Sequence, residues 1–408
     1  MRRISAVALL VGGTFVFSAR LDGKPAVEYI DPLIGTEGAG SQYGGMWPGV
    51  GQPFAALQWV GMTRLTEVGR TSYNFSDTAL LGFVGTRQPA IWMGDYGQVS
   101  LAPRTGAVDV DFKTRGYAFS HGDETATPWL YRVTYGAPEK GRITAEMIGT
   151  MRAGLFRIAF PKGEAGHVVI DASRDYASGV SDLRPADGWL RIGADGRTVE
   201  GWNSDRLDAH HAYDLPNFKG YFVVEFSRPF TAFGTYTGDG KPAAKGQYQG
   251  VITQPETREA QANRAGGYVC FAADDAPLLI RVGTSFISLA QARDNLRREI
   301  PDWDFDGTAA QTRRAWEQAF ERLVIETPDE AMKTIFYTGL YHALLYPREF
   351  SEYGRYYSAF DDQVHEGVSY TSYSLWDTYR AEHALLTLVA SERVDGMMNA
   401  LLQMYREG

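Results

Sequence analysis

Short apolar runs separated by Gly, Pro, Asn and Asp fill the chain from about residue 30 to residue 281. Some runs alternate apolar and polar side chains, as in YRVTY (Tyr131–Tyr135), and others are almost wholly apolar, as in HVVID (His167–Asp171). Strands of this length, divided by turn residues at short intervals, are typical of antiparallel sandwiches. We therefore predict a large antiparallel β-sandwich over residues 28–286.

The period of the pattern changes at Ser288, where apolar residues begin to recur every three or four positions. Serine is a residue type that caps helix N-termini, so a first helix is predicted to follow it. We assign linker helices to residues 287–327 and a second helical region to residues 328–408. Its helices are expected over Pro328–Tyr346, from about Ser374 to Ala390, and from Val394 onward. The chain thus predicts a multidomain fold in which a sandwich precedes helices.

The first residues have the layout of a secretory signal. Arg2 and Arg3 precede an apolar run from Ala6 to Phe17 that is too short to span a bilayer as a helix. We predict a signal peptide over residues 1–19. A secreted or periplasmic protein, without membrane association after cleavage, follows from that prediction.

Composition narrows the partners. Forty basic and 49 acidic residues give a net charge of −9, which is the wrong sign for nucleic acid binding. Cys270 is the single cysteine, so an intrachain disulfide and a Cys-rich metal site are excluded. The 23 Tyr and nine Trp residues suit either the core of a large β domain or the apolar face of a sugar ring, and both explanations stay open at this point.

Seven segments, in order from residue 29 to residue 388, carry a family resemblance. They are YIDPLIGT (29–36), WPGVGQPFA (47–55), GDYGQVSLAPRTG (94–106), RITAEMIGTMRAGLFRIAFP (142–161), RVGTSFISLAQARDNL (281–296), FYTGLYHALLYPRE (336–349) and SLWDTYRAEHALLTL (374–388). Together they resemble glycoside hydrolase family 92.

The resemblance implies a β-sandwich joined by helices to an (α/α)6 toroid, with the active site between them. It implies a calcium-dependent, inverting exo-α-mannosidase that removes terminal mannose from N-glycans or mannans. Inversion needs two carboxyl groups about 6.5–9.5 Å apart. In the family these carboxylates lie beyond the position that matches Gly408, so no catalytic residue is assigned here. The calcium ligands are likewise expected outside this chain. We expect residues 328–408 to be the start of an incomplete toroid that is inactive alone.

Asp377, in the SLWDT motif, is the best candidate for a site residue. It resembles the family's sugar-binding Asp, and a carboxylate can accept two charge-assisted hydrogen bonds from neighbouring hydroxyl groups. The alternative is a helix N-terminal role after Ser374, because acidic side chains favour the first turn. Trp376 is a further candidate for substrate binding, and core packing is its alternative.

The stretch VGTRQPAIWMGDYG (84–97) stands where many family members carry a His-rich segment. Within it we propose Trp92 for stacking on a sugar, Gln88 for hydrogen bonding, and Arg87 for contact with an anionic or hydroxyl-rich group. Asp95 fits a turn better than a binding site, because Gly residues flank it. The departure from the family's segment leaves the linkage preference open.

Two other functions are compatible with the sequence. One is a non-catalytic, carbohydrate-binding sandwich. The other is a related glycosidase that acts on a different sugar. Measured sugar affinity without hydrolysis would favour the first, and a comparison of mannosides with glucosides and galactosides would distinguish the second.

Overall fold

A computed structural model describes residues 24–37, 45–174, 187–206, 215–241 and 250–408. The predicted signal peptide, residues 1–19, lies outside the described residues. Long strands extend through this part of the chain as far as Ser285, and the first α-helix begins at Leu289. In chain order these strands are β1 (Gln58–Met62), β2 (Ala79–Leu80), β3 (Gly82–Thr86), β4 (Val99–Thr105), β5 (Tyr117–Ala126), β6 (Tyr131–Tyr135), β7 (Ile143–Gly149), β8 (Ala153–Ala159), β9 (Gly166–Arg174), β10 (Gly188–Ile192), β11 (Thr198–Asn203), β12 (Gly220–Phe226), β13 (Ala232–Gly238), β14 (Val251–Pro255), β15 (Glu259–Ala262), β16 (Arg264–Phe271) and β17 (Leu278–Ser285).

These strands form two sheets whose inner faces share one core. The first sheet has the order β1-β3-β4-β9-β16-β13-β14, and the second has the order β15-β10-β11-β12-β17-β8-β7-β6-β5-β2. Alternate side chains of a strand enter the core, as Tyr131, Val133 and Tyr135 do from β6. Trp59 of the first sheet meets Phe156 of the second edge-on, with ring centroids 5.1 Å apart. The predicted antiparallel sandwich is confirmed.

A buried ion pair on β9 joins three strands and a loop of the first sheet. Arg115 donates to both carboxylate oxygens of Asp171, over 2.9 and 2.6 Å, and both side chains are fully buried. The hydroxyl groups of Ser100 and Tyr236 also donate to this carboxylate. Burial alone would raise the pKa of Asp171, but Arg115 and these hydrogen bonds hold it below its usual value.

Six helices follow in the described part of the chain: α1 (Leu289–Glu299), α2 (Phe305–Phe320), α3 (Glu330–Ala343), α4 (Leu375–Thr378), α5 (Glu382–Val389) and α6 (Ser391–Glu407). The predicted cap is confirmed, because Ser288 accepts a hydrogen bond from the backbone N–H of Gln291 over 3.1 Å. The prediction of a sandwich followed by helices is confirmed, whereas the division into linker helices (287–327) and a toroid start (328–408) stays a prediction.

The helix predicted over residues 374–390 is wrong as a single element. Ala381, with φ −159°, interrupts it and separates α4 from α5. The Thr378 hydroxyl hydrogen-bonds to His383 over 2.9 Å and donates to the carbonyl of Tyr373 over 2.9 Å, which holds the chain in this bend. Ala390, with φ −145°, makes a second break before α6, which starts at Ser391 rather than near Val394.

Four short strands between α3 and α4 were not predicted. They are β18 (Arg348–Glu349), β19 (Arg355–Ser358), β20 (Gln363–Glu366) and β21 (Tyr370–Thr371), and they form two ribbons, β18 with β21 and β19 with β20. Both pairings are antiparallel. This ribbon segment turns the chain back toward the sandwich.

We predict that Asp171→Asn lowers the free energy of unfolding by about 3–5 kcal/mol, because Arg115 would keep its charge in the core without a counter-ion. Urea unfolding followed by intrinsic fluorescence measures the change. The control is Asp294→Asn, which removes an exposed pair with Arg298 and should cost about 0.5 kcal/mol or less. Similar losses in both variants would contradict the importance of the buried pair.

Candidate functional site

A cavity of about 410 Å³ opens where the sandwich meets the ribbon segment and α6. Cavities of this size, with mainly apolar walls and a few polar groups, are typical of small-molecule sites. From the first 218 residues its walls include Pro89, Trp92, Met93, Gly94, Asp95, Tyr96, Arg206, Leu215 and Phe218. From the later part they include Phe350, Tyr356, Tyr357, Ser358, Ala359, Phe360, Ser369, Tyr370, Thr371, Ser372, Met404 and Glu407.

The ribbon segment supplies most of the aromatic wall, and its tyrosine hydroxyls are tied to carboxylates of the protein. Tyr357 donates to Asp362 over 2.6 Å, and Tyr356 donates to Glu407 at the end of α6. These bonds direct the hydroxyl groups toward protein carboxylates and leave the rings as the surface of the wall. Ring faces of this kind suit the C–H face of a pyranose.

Trp92 lies at the wall with 54% of its surface exposed. The loop that carries it is held by the Asp95 carboxylate, which accepts hydrogen bonds from the backbone N–H groups of Arg87 (2.9 Å) and Tyr96 (2.8 Å). Asp95 therefore supports this loop through its carboxylate, and the chain bends at Gly97 rather than forming a turn at Asp95. Gly97 has φ +59°, and a Cβ there would lie 2.8 Å from the Phe286 ring, so only glycine fits.

Arg87 and Gln88 are buried, each about 1% exposed, and neither lines the cavity. Arg87 donates to the carbonyl of Gly97 over 2.8 Å, and its guanidinium lies 4.7 Å from the centroid of the Phe286 ring. Gln88 donates to the carbonyl of Met93 over 2.9 Å. Both side chains support the loop that carries Trp92, and the sugar contact predicted for them stays a prediction.

Asp377 and Trp376 lie on α4, outside the walls of the cavity. Trp376 is 89% exposed, so it does not pack into the core formed by the described residues. Asp377 is exposed at the first turn, where Ser374 donates a hydrogen bond to its carboxylate over 2.6 Å. The predicted helix-terminal geometry and an accessible carboxylate are therefore both present, and the role of Asp377 in sugar binding stays a prediction.

Glu382 places a second carboxylate near Asp377. Burial, followed by the negative charge of Asp377, raises the pKa of Glu382 from 4.5 to about 7. Its Oε1 atom is shielded from solvent and has no hydrogen-bond partner among the residues that the structure covers. An unpartnered buried carboxylate is costly when it is charged, so Glu382 retains its proton up to neutral pH.

Calcium was implied by the family resemblance, and the geometry tests whether the residues present fit it. Calcium takes about six to eight oxygen ligands. Within the described ranges no three side chains of His, Cys, Asp or Glu are grouped to hold a metal ion. These residues therefore do not form a calcium site by themselves.

Comparison with known families decides the identity of the fold. The model of the glycosyl hydrolase family 92 N-terminal domain matches residues 29–285, and that of the family's catalytic domain matches residues 291–408. The chain belongs to glycoside hydrolase family 92.

Solved family 92 structures resemble it closely. An inverting mannosidase of Bacteroides thetaiotaomicron has 31% identity and a TM-score of 0.83, with 94% of this chain and 49% of that chain covered. An α-mannosidase from the same organism, at 23% identity, has a TM-score of 0.74 over 94% of this chain and 50% of that chain, which shows the shared fold. This chain thus spans about half the length of the proteins in these structures.

A curated relative from the fungus Arthroderma benhamiae is named an uncharacterized secreted glycosidase. It is 24% identical over 388 residues, which are 89% of this chain and 46% of the relative. In the part of our chain that the structure covers, no helix is both long and apolar enough to cross a membrane.

Sequence reasoning missed the ribbon segment as a source of the cavity wall. The signal that could have found it is the concentration of aromatic residues between Tyr353 and Tyr373, in a stretch with no helical period. Tyr96 was also missed, because the GDYG motif was interpreted as a turn. The motif forms a bridge at Tyr96 and a bend at Gly97, and it places the tyrosine ring in the wall.

We predict that the contribution of Glu382 to stability falls as pH rises from about 4.5 to 7, because the folded state binds the Glu382 proton more tightly than the unfolded state does. Glu382→Gln removes this contribution. When the pH is raised from about 5 to about 8, the free energy of unfolding should fall by about 1 kcal/mol less in the variant than in the wild type. This figure allows for the partial exposure of the Glu382 side chain. Urea unfolding at both pH values measures this difference, with Glu366→Gln on β20 as the exposed control. Parallel pH dependences in all three proteins would refute it.

Proposed function

We propose that the whole protein is an exo-acting, inverting α-mannosidase that removes terminal mannose from N-glycans or mannans outside the cytoplasm. The observation that carries this proposal is the match of nearly the whole chain, at 31% identity, to a structure described as an inverting family 92 mannosidase. A further α-mannosidase structure of the family holds mannoimidazole. The relative named a secreted glycosidase and the predicted signal peptide support export.

The cavity supports a carbohydrate substrate on chemical grounds. Eight of the 21 residues in its walls are aromatic, and the exposed face of Trp92 is available for stacking on the C–H face of a pyranose. On α4, Asp377 offers a carboxylate that can accept hydrogen bonds from sugar hydroxyls, and Trp376 stands beside it. We assign substrate contact to Trp92, Trp376 and Asp377, and a positioning role to Arg87 and Gln88. We also propose that the activity of the whole protein depends on calcium, and that the ligands of the calcium ion lie outside the described residues.

One observation favours a second function, sugar binding without hydrolysis. The cavity walls contain two carboxylates, Asp95 and Glu407, and both already accept hydrogen bonds from the protein. Neither is available as a general acid or a general base without breaking those bonds. Binding of a mannoside by this chain without release of mannose would support that function.

We expect the whole protein to release mannose from α-linked mannobiosides. Asp377→Asn should lower its kcat/KM about 10- to 100-fold, because a charge-assisted hydrogen bond to a sugar is worth about 1.5–3 kcal/mol. Chromatographic quantification of mannose measures the rate, and proton NMR of the first product identifies its anomer. The control is Asp294→Asn on α1, which should retain the wild-type rate. Release of glucose or galactose instead of mannose would replace the proposed substrate, and an unchanged rate for Asp377→Asn would remove that residue from the site.

A further inference from the structure

Tyr96 differs from the other tyrosines in the cavity wall. The hydroxyls of Tyr356 and Tyr357 donate to Glu407 and Asp362, and that of Tyr370 accepts from Arg393 over 3.3 Å. The Tyr96 hydroxyl, in contrast, donates to no protein acceptor with normal hydrogen-bond geometry in the described ranges. Its ring is fixed by Phe286 and Phe218, with centroids 5.7 and 6.4 Å away. The wall therefore holds one rigid phenol whose hydroxyl is available to a ligand.

Ser372 lines the same wall from the helical side of the molecule. Its Oγ atom is shielded from solvent and has no partner of normal geometry in the part of the chain described. Its backbone has φ +64°, a conformation that L residues rarely adopt. Strained backbone and unsatisfied buried polar atoms both concentrate at functional sites, and here they coincide in one residue.

Tyr96 and Ser372 line the same cavity. Burial raises the pKa of Tyr96, and the charges of Arg348 and Arg87 and the Ser372 hydroxyl oppose that rise. The pKa stays above its ordinary value, so the phenol keeps its proton and can donate a hydrogen bond at physiological pH. Tyr96 and Ser372 thus form a polar pair in a wall that also carries seven other aromatic rings.

We propose that Tyr96 and Ser372 are the polar anchor of the cavity and hold one oxygen atom of a pyranose whose C–H face lies on the surrounding rings. The anchor is built from both halves of the fold, since Tyr96 follows the sandwich loop and Ser372 follows β21. Polar groups placed in a wall that also offers ring faces fix the orientation of a bound ring as well as its presence. The choice of a sugar as the ligand rests on the proposed function.

Isothermal titration calorimetry with the methyl α-pyranosides of mannose, glucose and galactose tests the anchor. With the sugar that binds most tightly, Tyr96→Phe and Ser372→Ala should each raise Kd about three- to tenfold, the effect of losing one hydrogen bond. Ser372→Gly, which adopts positive φ without strain, should show the same loss and covers the case in which Ser372→Ala does not fold. Tyr117→Phe is the control, because it removes a tyrosine hydroxyl that donates to the Thr105 carbonyl on the sandwich. Near-UV circular dichroism checks the fold of each variant.

Equal Kd values for Tyr96→Phe and Tyr117→Phe would overturn the anchor, and so would the absence of binding by all three pyranosides. Neither result affects the proposed mannosidase, which is tested by mannose release. Tyr96-dependent binding of a glucoside or galactoside, together with no release of mannose, would keep the anchor and reject the mannosidase.

Discussion

The Arg152 guanidinium connects the sandwich to the helical half, and the position of the cavity depends on that connection. Arg152 lies in the turn between β7 and β8, and it donates to Glu299 at the end of α1 over 2.9 Å and to Glu349 of β18 over 3.0 Å. Its Nε–H also donates to the carbonyl of Ser351 over 2.8 Å. Burial opposes its charge, but the two glutamates raise the pKa of Arg152 above its ordinary value. One side chain thus fixes the start of the ribbon segment that forms half of the cavity wall.

Neighbouring contacts extend this connection through the helical half. Glu349 also accepts from Arg393 on α6 over 2.9 Å, and the end of α6 reaches the cavity at Glu407. Glu352 is buried and accepts from the Phe286 backbone N–H over 2.7 Å and from Asn295 over 2.8 Å. Buried ion pairs contribute little net stability because desolvation offsets their attraction. We infer that this network acts mainly by fixing the orientation of the two halves, since its hydrogen-bonding geometry is specific.

The sandwich and the helix starts could be predicted from the sequence because their physical causes are local. Alternating side chains and turn residues define strands such as β6, and a serine before an apolar period defines the start of α1. The break at Ala381 could not be predicted, because it depends on the contact of Thr378 with His383. Local apolar spacing across residues 374–390 is the same for one helix as for two.

The candidate site was less predictable than the fold, because its residues are brought together by pairings distant in sequence. Arg87 and Gln88 have the polar groups of ligand-binding side chains, but both are buried and donate hydrogen bonds to carbonyl groups of the loop that carries Trp92. Tyr96 looked like part of a turn, and only the approach of the ribbon segment makes it part of a wall. Residue type alone does not show whether a polar group faces a ligand or the protein.

The strained serines show how the fold directs α4. Ser372 and Ser374 both have positive φ, at 64° and 43°, and each such residue costs about 1–3 kcal/mol. Tyr373 between them is buried and donates to the carbonyl of Met397 on α6 over 2.6 Å, while its own carbonyl accepts from Thr378. These contacts hold the backbone in a conformation that it would otherwise leave. Because Ser372 lines the cavity and Asp377 follows within one short helical turn of Ser374, the strain sets the direction of α4 relative to the wall. A backbone relaxed at these two serines would change the direction of α4, which carries Trp376 and Asp377 beside the cavity rather than in its wall.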